Sequence, residues 1–299
     1  MSGMDRRSFV LAGTAALAAP QVSATPMTLG GAKLNLHLVE GSASKEALIR
    51  QWITKSATAV IGYYGKFPVP EVDIVVSLKD GARVGGGRTY PGAVPTIEIG
   101  VGSKAEEQAL LHNDWVMVHE MIHLAFPWMN LHHNWMAEGL AVYVESVARV
   151  RAGHIPEEQI WSDFAKAMPK GLPKEGDRGL DVTGTWGRTY WGGALFCLLA
   201  DITVRRETGN RLGLQTALRA INAERDFRTE HSLLETLAIG DAATGRKVLV
   251  AQYDAMRETP ITTDLPVLWR NLGVNVEQGA IRLNANAPWA DVRRAIVAV

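Results

Sequence analysis

The chain has 299 residues, of which 47% are hydrophobic, and its 31 basic side chains balance its 31 acidic ones. This length and composition support one large hydrophobic core or two smaller ones. A chain without excess positive charge lacks the electrostatic signature of a nucleic-acid-binding protein. Cys197 is the only cysteine in the sequence, so an intramolecular disulfide is excluded.

The N-terminus carries the pattern of an export signal. Arg6 and Arg7 precede a short run of small apolar residues over 10–19, and further small residues follow at 22–24. Paired arginines before such a run resemble the twin-arginine signals of bacteria, and the run is too short to span a membrane. We therefore expect residues 1–24 to be removed and the mature protein to work in the periplasm or outside the cell, without a membrane partner.

The next part of the chain, residues 25–103, alternates strand and helix signals. Alternating or β-branched residues predict strands over 33–39, 71–78 and 96–101. A long helix is predicted over 44–64, with Ser44 as its N-cap. The glycine-rich stretch 81–92 is predicted to be a turn region. This part is expected to form a small mixed β-sheet that carries one helix.

From residue 104 the pattern changes to helix. One continuous helix is predicted over 104–126, ended by Pro127, and a second over 134–152. Further helices are predicted near 156–168, 188–208, 211–224, 229–238 and 244–257, with a loop over 171–187. We expect residues 104–264 to form a helical subdomain, and the tail 265–299, of unclear role, to hold a short helix and a strand pair. A sheet followed by helices is the α+β pattern.

The first of these helices carries a metal-binding pattern. His119-Glu120-Met121-Ile122-His123 places two imidazoles four residues apart, which is about one helical turn, so both can bind one ion. Glu120 is rotated by about 100° from His119 and is better placed to take a proton from a water at the metal than to complete the ligand set. The apolar neighbours of the motif indicate a buried helix, in which these polar side chains need partners. One Zn²⁺ ion is the partner that the pattern favours.

Three residues are candidates for the third metal ligand. His132 and His133 lie in a turn that follows the motif helix and could reach back to the metal. Glu138 lies on the second predicted helix, which could present one carboxylate to His119 and His123. Because two rigid helices preorganise a site better than a helix and a loop, Glu138 is the preferred prediction.

These motifs resemble those of the gluzincin metallopeptidases. H-E-x-x-H followed by W-x-x-E-G, here residues 135–139, is the pattern of the M1 aminopeptidases and the M61 glycyl aminopeptidases. The segment 190–193 resembles their Y-x-x-G block, and the likeness covers roughly residues 105–225. It implies a thermolysin-like zincin catalytic unit that hydrolyses peptide or protein substrates in an aminopeptidase-like manner. By the same resemblance Tyr190 would donate its hydroxyl to the oxyanion formed in the reaction.

The sequence departs from the aminopeptidase pattern at one point. The M1 enzymes bind the free amino terminus with a glutamate in a G-x-M-E-N strand, and the corresponding stretch here, 85–90, contains no acidic residue. Glu98 in the next predicted strand is the remaining candidate for that role. A zinc endopeptidase is therefore one alternative. A periplasmic binding protein with a structural zinc site is the other, although such a site normally has four protein ligands and no use for the base Glu120.

Three further charged residues lie near these motifs, and the sequence leaves two roles open for each. Asp114 and Glu145 could orient a zinc-binding imidazole, or they could be ordinary helix charges. Arg188 could bind a substrate carboxylate or form a surface salt bridge. The tertiary structure is needed to decide between the two roles of each residue.

Overall fold

The computed structural model describes residues 25–39, 43–277 and 280–299. The export signal over residues 1–24 lies outside the described residues and stays a prediction, as do the predicted subdomain boundaries. Among the described helices, none combines the length and the apolarity that crossing a bilayer requires.

The N-terminal part is a five-stranded mixed sheet with a long crossover helix. The helix α1 (Ala43–Tyr64) links the second strand to the third. The strands lie in the order β1-β2-β3-β5-β4. Neighbours among β2, β3 and β5 run parallel, whereas the edge strands β1 and β4 run antiparallel to their neighbours. The strands are β1 (Thr25–Leu29), β2 (Ala32–Val39), β3 (Glu71–Lys79), β4 (Val84–Tyr90) and β5 (Thr96–Gly102).

Helices form most of the remaining structure. They are α2 (Val116–His123), α3 (Asn134–Arg151), α4 (Glu157–Ala167), α5 (Gly193–Thr208), α6 (Leu214–Glu224), α7 (Leu233–Thr244) and α8 (Leu249–Met256). The tail contains α9 (Leu265–Leu272), the hairpin β6 (Val274–Glu277) and β7 (Ala280–Leu283), and α10 (Ala290–Val297). The predicted α+β class, with the sheet first and the helices second, is confirmed.

Two local predictions are wrong, for identifiable reasons. The helix predicted over 104–126 is divided into a short π-helix, Gln108–His112, and α2. The Asp114 carboxylate causes the break, because it accepts hydrogen bonds from the backbone amides of Val116 and Met117 at 3.0 and 3.1 Å and so starts a new helix. The glycine-rich stretch predicted as a turn region contains the edge strand β4.

Smaller differences concern helix ends. The helix α1 begins at Ala43, so Ser44 lies inside its first turn and not at its N-cap. The helix predicted over 229–238 is shifted to Leu233–Thr244, because the Ser232 hydroxyl caps it by accepting from the amide of Glu235. The helix predicted over 188–208 begins as a π-helix, Arg188–Gly192, before it continues as α5.

Helices α3 and α5 approach each other at a pair of glycines. A Cβ on Gly139 would lie 2.2 Å from the Cα of Gly193, and a Cβ on Gly193 would lie 2.0 Å from the carbonyl oxygen of Trp135. Farther along the same helices, the Tyr143 hydroxyl donates to the buried Asp201 carboxylate at 2.7 Å. The glycine of the W-x-x-E-G motif is therefore required by helix packing.

We expect Gly139→Ala to lower the free energy of unfolding by about 3 kcal/mol, because backbone and not a movable side chain occupies the space that the methyl group needs. Gly62→Ala is the matched control: Gly62 lies in the exposed part of α1 with nothing within 4 Å of a new Cβ. That change should raise stability by up to about 1 kcal/mol. Urea denaturation of both variants measures the difference, and equal stability would contradict the close approach of α3 and α5.

Candidate active site

The metal-binding motif lies on α2, a short helix buried along its length. His119 and Glu120 expose 4% and 6% of their surface. The Asp114 carboxylate that starts the helix also accepts a 2.8 Å hydrogen bond from the indole of Trp52 in α1. Asp114 therefore anchors α2 to α1, and it is neither the partner of a zinc-binding imidazole nor an exposed charge.

Helix α3 brings the Glu138 carboxylate against both imidazoles of α2. Its Oε2 lies 3.2 Å from His119 Nε2 and 3.7 Å from His123 Nε2. Two ligands of one tetrahedral zinc ion lie about 3.4 Å apart, as follows from zinc–ligand bonds of about 2.0–2.2 Å. Both distances from Glu138 are therefore compatible with a carboxylate and an imidazole bound to the same zinc ion. Burial, together with the neighbouring His119, lowers the pKa of His123 to about 4, so at neutral pH its imidazole is in the form that binds metal.

The Glu120 carboxylate is the second acid beside the imidazoles, and its surroundings differ. His119, Glu120 and His123 offer ligand atoms within 4.8 Å of one another. The Thr89 hydroxyl of β4 lies 2.7 Å from Glu120 Oε2 and 3.0 Å from the Glu120 carbonyl oxygen. Burial raises the pKa of Glu120, although the Thr89 hydrogen bond opposes the shift. A carboxylate held by the sheet edge in this way is suited to accept a proton.

The pKa of Glu138 is shifted in the opposite direction from that of Glu120. Burial alone would raise the pKa of Glu138, but the hydrogen bond from His119, the charges of His123 and His119, and a hydrogen bond from Tyr190 together lower it. Neighbouring carboxylates whose pKa values are pushed apart commonly divide ligand and acid–base roles. The pKa values of Glu120 and Glu138 are thus shifted in opposite directions, upward for Glu120 and downward for Glu138.

Tyr190 lies over the site on the π-helix Arg188–Gly192. Burial and the nearby Glu138 carboxylate raise the pKa of the Tyr190 hydroxyl, which keeps it protonated and able to donate. The ring of Trp186 stacks on that of Tyr190, with centroids 5.7 Å apart. Short π-helical segments are frequent at functional sites, since they turn a side chain out of the helical register.

Two of the candidate third ligands lie elsewhere. His133 Nδ1 is 2.9 Å from Asp181 Oδ1, and both His132 and His133 line a depression separate from the cleft that holds Glu138. Glu98 is exposed on the face of β5 opposite the core, where it pairs across strands with Arg88. The structure therefore brings Glu138 to the imidazoles and leaves these three residues apart from them.

Arg188 and Glu145 are both buried and bound to neighbours. Arg188 Nε lies 2.8 Å from Asp177 Oδ2, and its Nη1 donates to the Gly171 carbonyl at 2.6 Å, so this residue fixes the loop before Tyr190 and forms no surface salt bridge. Glu145 accepts from Arg149 at 2.6 Å. The Glu145 carboxylate interacts electrostatically with His119 but does not hydrogen-bond to it. The buried Nδ1 of His119 has no hydrogen-bond partner among the described residues.

Sequence reasoning missed two residues that position the site. Thr89 binds Glu120 from β4. The contact follows from the pairing of β4 with β5, which places Thr89 opposite the buried Ile97 and so on the inward face of the sheet. Asp181 lies in the long loop and accepts hydrogen bonds from His133, Trp135 and Tyr253 at 2.9, 2.7 and 2.7 Å. It thereby fixes the first turn of α3, which carries Glu138, and no local sequence signal marks it.

A cleft of about 890 Å³ between β4, α2 and the start of α3 is lined by the polar residues described above that lie near the two imidazoles: Thr89, His119, Glu120, His123, Glu138 and Tyr190. Comparison with known protein families gives no match, and no curated protein matches in sequence. Solved structures do match. The chain resembles the aminopeptidase N family protein from Idiomarina loihiensis with a TM-score of 0.59 and 15% identity, over 85% of this chain and 50% of that one.

Two further structures support the comparison. A two-domain M1 zinc metallopeptidase mutant bound to L-tryptophan matches with a TM-score of 0.53 and 16% identity, over 81% of this chain and 52% of that one. The M1 zinc metallopeptidase from Deinococcus radiodurans matches with a TM-score of 0.51 and 14% identity, over 81% of this chain and 52% of that one. The fold is that of M1 zinc metallopeptidases. The chain spans about half the length of each of these proteins, and at such identities the likeness concerns the fold.

We expect the purified protein to bind one zinc ion per chain and Glu138→Ala to weaken binding by at least about 100-fold, since loss of an outer hydrogen-bond partner alone costs about 10–100-fold. Glu120→Gln should retain the metal, because Glu120 is predicted to act as a base. Competition with a zinc chelator and elemental analysis measure both. Wild-type affinity in Glu138→Ala would contradict its assignment as third ligand.

Proposed function

We propose that the protein is a zinc-dependent peptide-bond hydrolase. The observation that carries the proposal is the contact of one carboxylate, Glu138, with both imidazoles of the H-E-x-x-H helix, while Glu120 is held separately by Thr89. The M1 zinc metallopeptidase fold of the solved neighbours supports it. The substrates proposed are peptides or proteins.

His119, His123 and Glu138 would hold one Zn²⁺ ion, whose bonding distances fit the observed separations. Such an ion supplies a Lewis acid and lowers the pKa of bound water toward neutrality. Three protein ligands leave a fourth position open, which is typical of catalytic sites and not of structural ones. Since neither His132 nor His133 lines the cleft, the alternative of a non-catalytic protein with a closed zinc site has little support.

Glu120 takes a proton from the attacking water and later gives it to the leaving amine. Two features suit it to both steps. Its Oε2 is bound by Thr89, which fixes the orientation of the carboxylate. Its burial raises the pKa, so that the acid form is accessible during the reaction.

Tyr190 donates its hydroxyl to the oxyanion that forms when water attacks the peptide carbonyl. A preorganised donor at the position of developing charge stabilises the transition state more than the ground state. The raised pKa of the hydroxyl keeps the proton available, and the stacking of Trp186 limits the movement of the ring.

Aminopeptidase-like cleavage is the form of this activity that the motif resemblance and the names of the solved neighbours support. Endopeptidase cleavage is the second candidate, and a specific observation favours it. Among the described residues that line the cleft, the carboxylates are Glu120 and Glu138, both with other proposed roles, whereas Glu98 lies on the outer face of the sheet.

We expect Glu120→Gln to lower kcat by about 100-fold to 10,000-fold, the range that general acid–base catalysis contributes, with zinc content unchanged. Cleavage of a diverse peptide mixture, followed by mass spectrometry, measures the loss. Glu98→Gln is the matched control, because it removes the same charge from the exposed face of β5 and should leave the rate unchanged. Full activity in Glu120→Gln would reject Glu120 as the base.

We expect Thr89→Val to reduce kcat by about 10-fold to 100-fold, as is typical when an orienting hydrogen bond is lost. Valine preserves the shape of the side chain and removes only the hydroxyl that binds Glu120. Thr89→Ser retains that hydroxyl and should recover most of the rate. If both variants lost activity equally, the packing of Thr89 against α2 and not its hydrogen bond to Glu120 would explain the effect.

A further inference from the structure

The cleft extends past the reacting centre on both sides. At one end Val84, the first residue of β4, lies beside Trp115 and Val116 at the start of α2. At the other end Arg228 binds the carbonyl oxygen of Ala93, just beyond β4, and so joins the end of that strand to the loop that carries Phe227. Strand β4 therefore runs along the cleft from the Trp115 end to the end formed by Trp128, Leu131 and Phe227.

The base lies between these two ends. A Cβ on Gly87, in the middle of β4, would lie 2.5 Å from the Cγ of Glu120, so only glycine allows the strand to pass so close to the base. Because β4 is the edge of its sheet, its outer backbone groups are available to an extended peptide. A peptide that follows β4 would cross Glu120 with chain on both sides.

Large apolar side chains are exposed at both ends. Trp115 exposes 47% of its surface, and its ring contacts that of His119 edge-on with centroids 5.5 Å apart. Trp128 exposes 41% and contacts Phe227 edge-on at 6.3 Å, while Leu131 exposes 87%. Clustered exposed apolar surface of this kind typically marks a binding site, and aromatic walls favour aromatic and large aliphatic ligands.

The charges in the cleft do not favour a free amino terminus. Of the described residues that line it, the carboxylates are Glu120 and Glu138, and the remaining formal charge is the cation Arg88. An ammonium group brought out of water next to these residues needs its own carboxylate partner. The uncharged peptide bond of a continuing chain has no such requirement and can hydrogen-bond to β4.

On the basis of the proposed function, we propose that the cleft binds internal segments of extended peptides and cleaves them between bulky apolar residues. The Trp115 end contacts the side chain on one side of the cut, and the Trp128 end contacts the side chain on the other. The proposed activity is thus endopeptidase cleavage, the second candidate named above, with a preference set by these two aromatic walls.

The test uses the zinc-loaded full chain and matched twelve-residue peptides. One peptide carries Phe-Leu at its centre within a Gly/Ser sequence, is acetylated at the N-terminus and amidated at the C-terminus. A second has a free N-terminus, and a third replaces Phe-Leu by Ala-Ala. We expect a single internal cut at Phe-Leu, similar kcat/KM for the blocked and free peptides, and at least about 10-fold lower kcat/KM for Ala-Ala.

Substitutions then assign the two walls. Trp115→Ala and Trp128→Ala should each raise KM for the Phe-Leu peptide by about 10-fold and change the Ala-Ala peptide little. Both side chains are partly exposed, so the fold should be retained. Zinc content is measured for each variant, because the Trp115 ring contacts that of His119. Val276→Ala is the control, since Val276 is 60% exposed on the tail hairpin, away from the cleft. Its kinetics should match wild type.

Each contrary result has a distinct meaning. Stepwise removal of residues from the free peptide, with the acetylated peptide intact, would overturn the endopeptidase assignment and leave zinc-dependent hydrolysis standing. Equal cleavage of Phe-Leu and Ala-Ala peptides, or wild-type kinetics in both tryptophan variants, would overturn the role of the aromatic walls. Absence of any Glu120-dependent cleavage of these peptides or of a diverse mixture would overturn the proposed function and this inference together.

Discussion

The contact of one carboxylate with two imidazoles is the constraint on which the site depends. Glu138 can meet His119 and His123 only if α2 and α3 pack directly against each other, with the turn between them folded back. Three buried or half-buried ionisable groups are unfavourable in an apolar core unless they pair with one another or with an ion. The surrounding structure is arranged to hold the two helices in this position.

Several anchors, each on a different element, fix those helices. Asp114 starts α2 and ties it to Trp52 of α1, and Asp181 fixes the first turn of α3 through Trp135. The glycines at 139 and 193 let α5 lie against α3, which places the π-helix with Tyr190 over Glu138. Tyr190 is thus positioned against the same helix that carries Glu138, so the two side chains keep their relative geometry.

Sequence alone predicted the parts of this site that depend on local periodicity. Residues 119, 120 and 123 share a helix, and their relative directions follow from the rise and rotation of that helix. The choice of Glu138 over His132 and His133 rests on rigidity and stays a prediction; Glu138 contacts both imidazoles of α2, whereas His133 contacts Asp181. Of the fold, the strands β2, β3 and β5, the helix α3 and the tail hairpin were also recognisable from their patterns.

The remaining features could not be predicted because they depend on contacts between distant segments. Asp114 starts a new helix because its carboxylate accepts hydrogen bonds from the amide of Val116 and from the indole of Trp52. Trp52 lies 62 residues earlier in the chain, so the local sequence does not indicate this contact. Thr89 and Asp181 reach the site from a strand and a loop whose positions are set by the sheet and by α8. The burial of Arg188 could likewise not be predicted, because it depends on the ion pair with Asp177, which the loop between them brings into contact.

The glycine-rich edge strand explains how the cleft can hold Glu120, the proposed base, beside an open sheet edge. Glycines in a strand weaken it, and an exposed edge invites pairing with other chains, so such a strand needs a physical reason. Here Gly87 leaves the space that the Glu120 side chain occupies, and the next inward residue, Thr89, binds the same carboxylate. Strand β4 therefore orients the Glu120 carboxylate with its inward face, while its outer edge is unpaired among the described strands. In the proposed function, the features that weaken the strand are the ones that bring a peptide backbone next to Glu120.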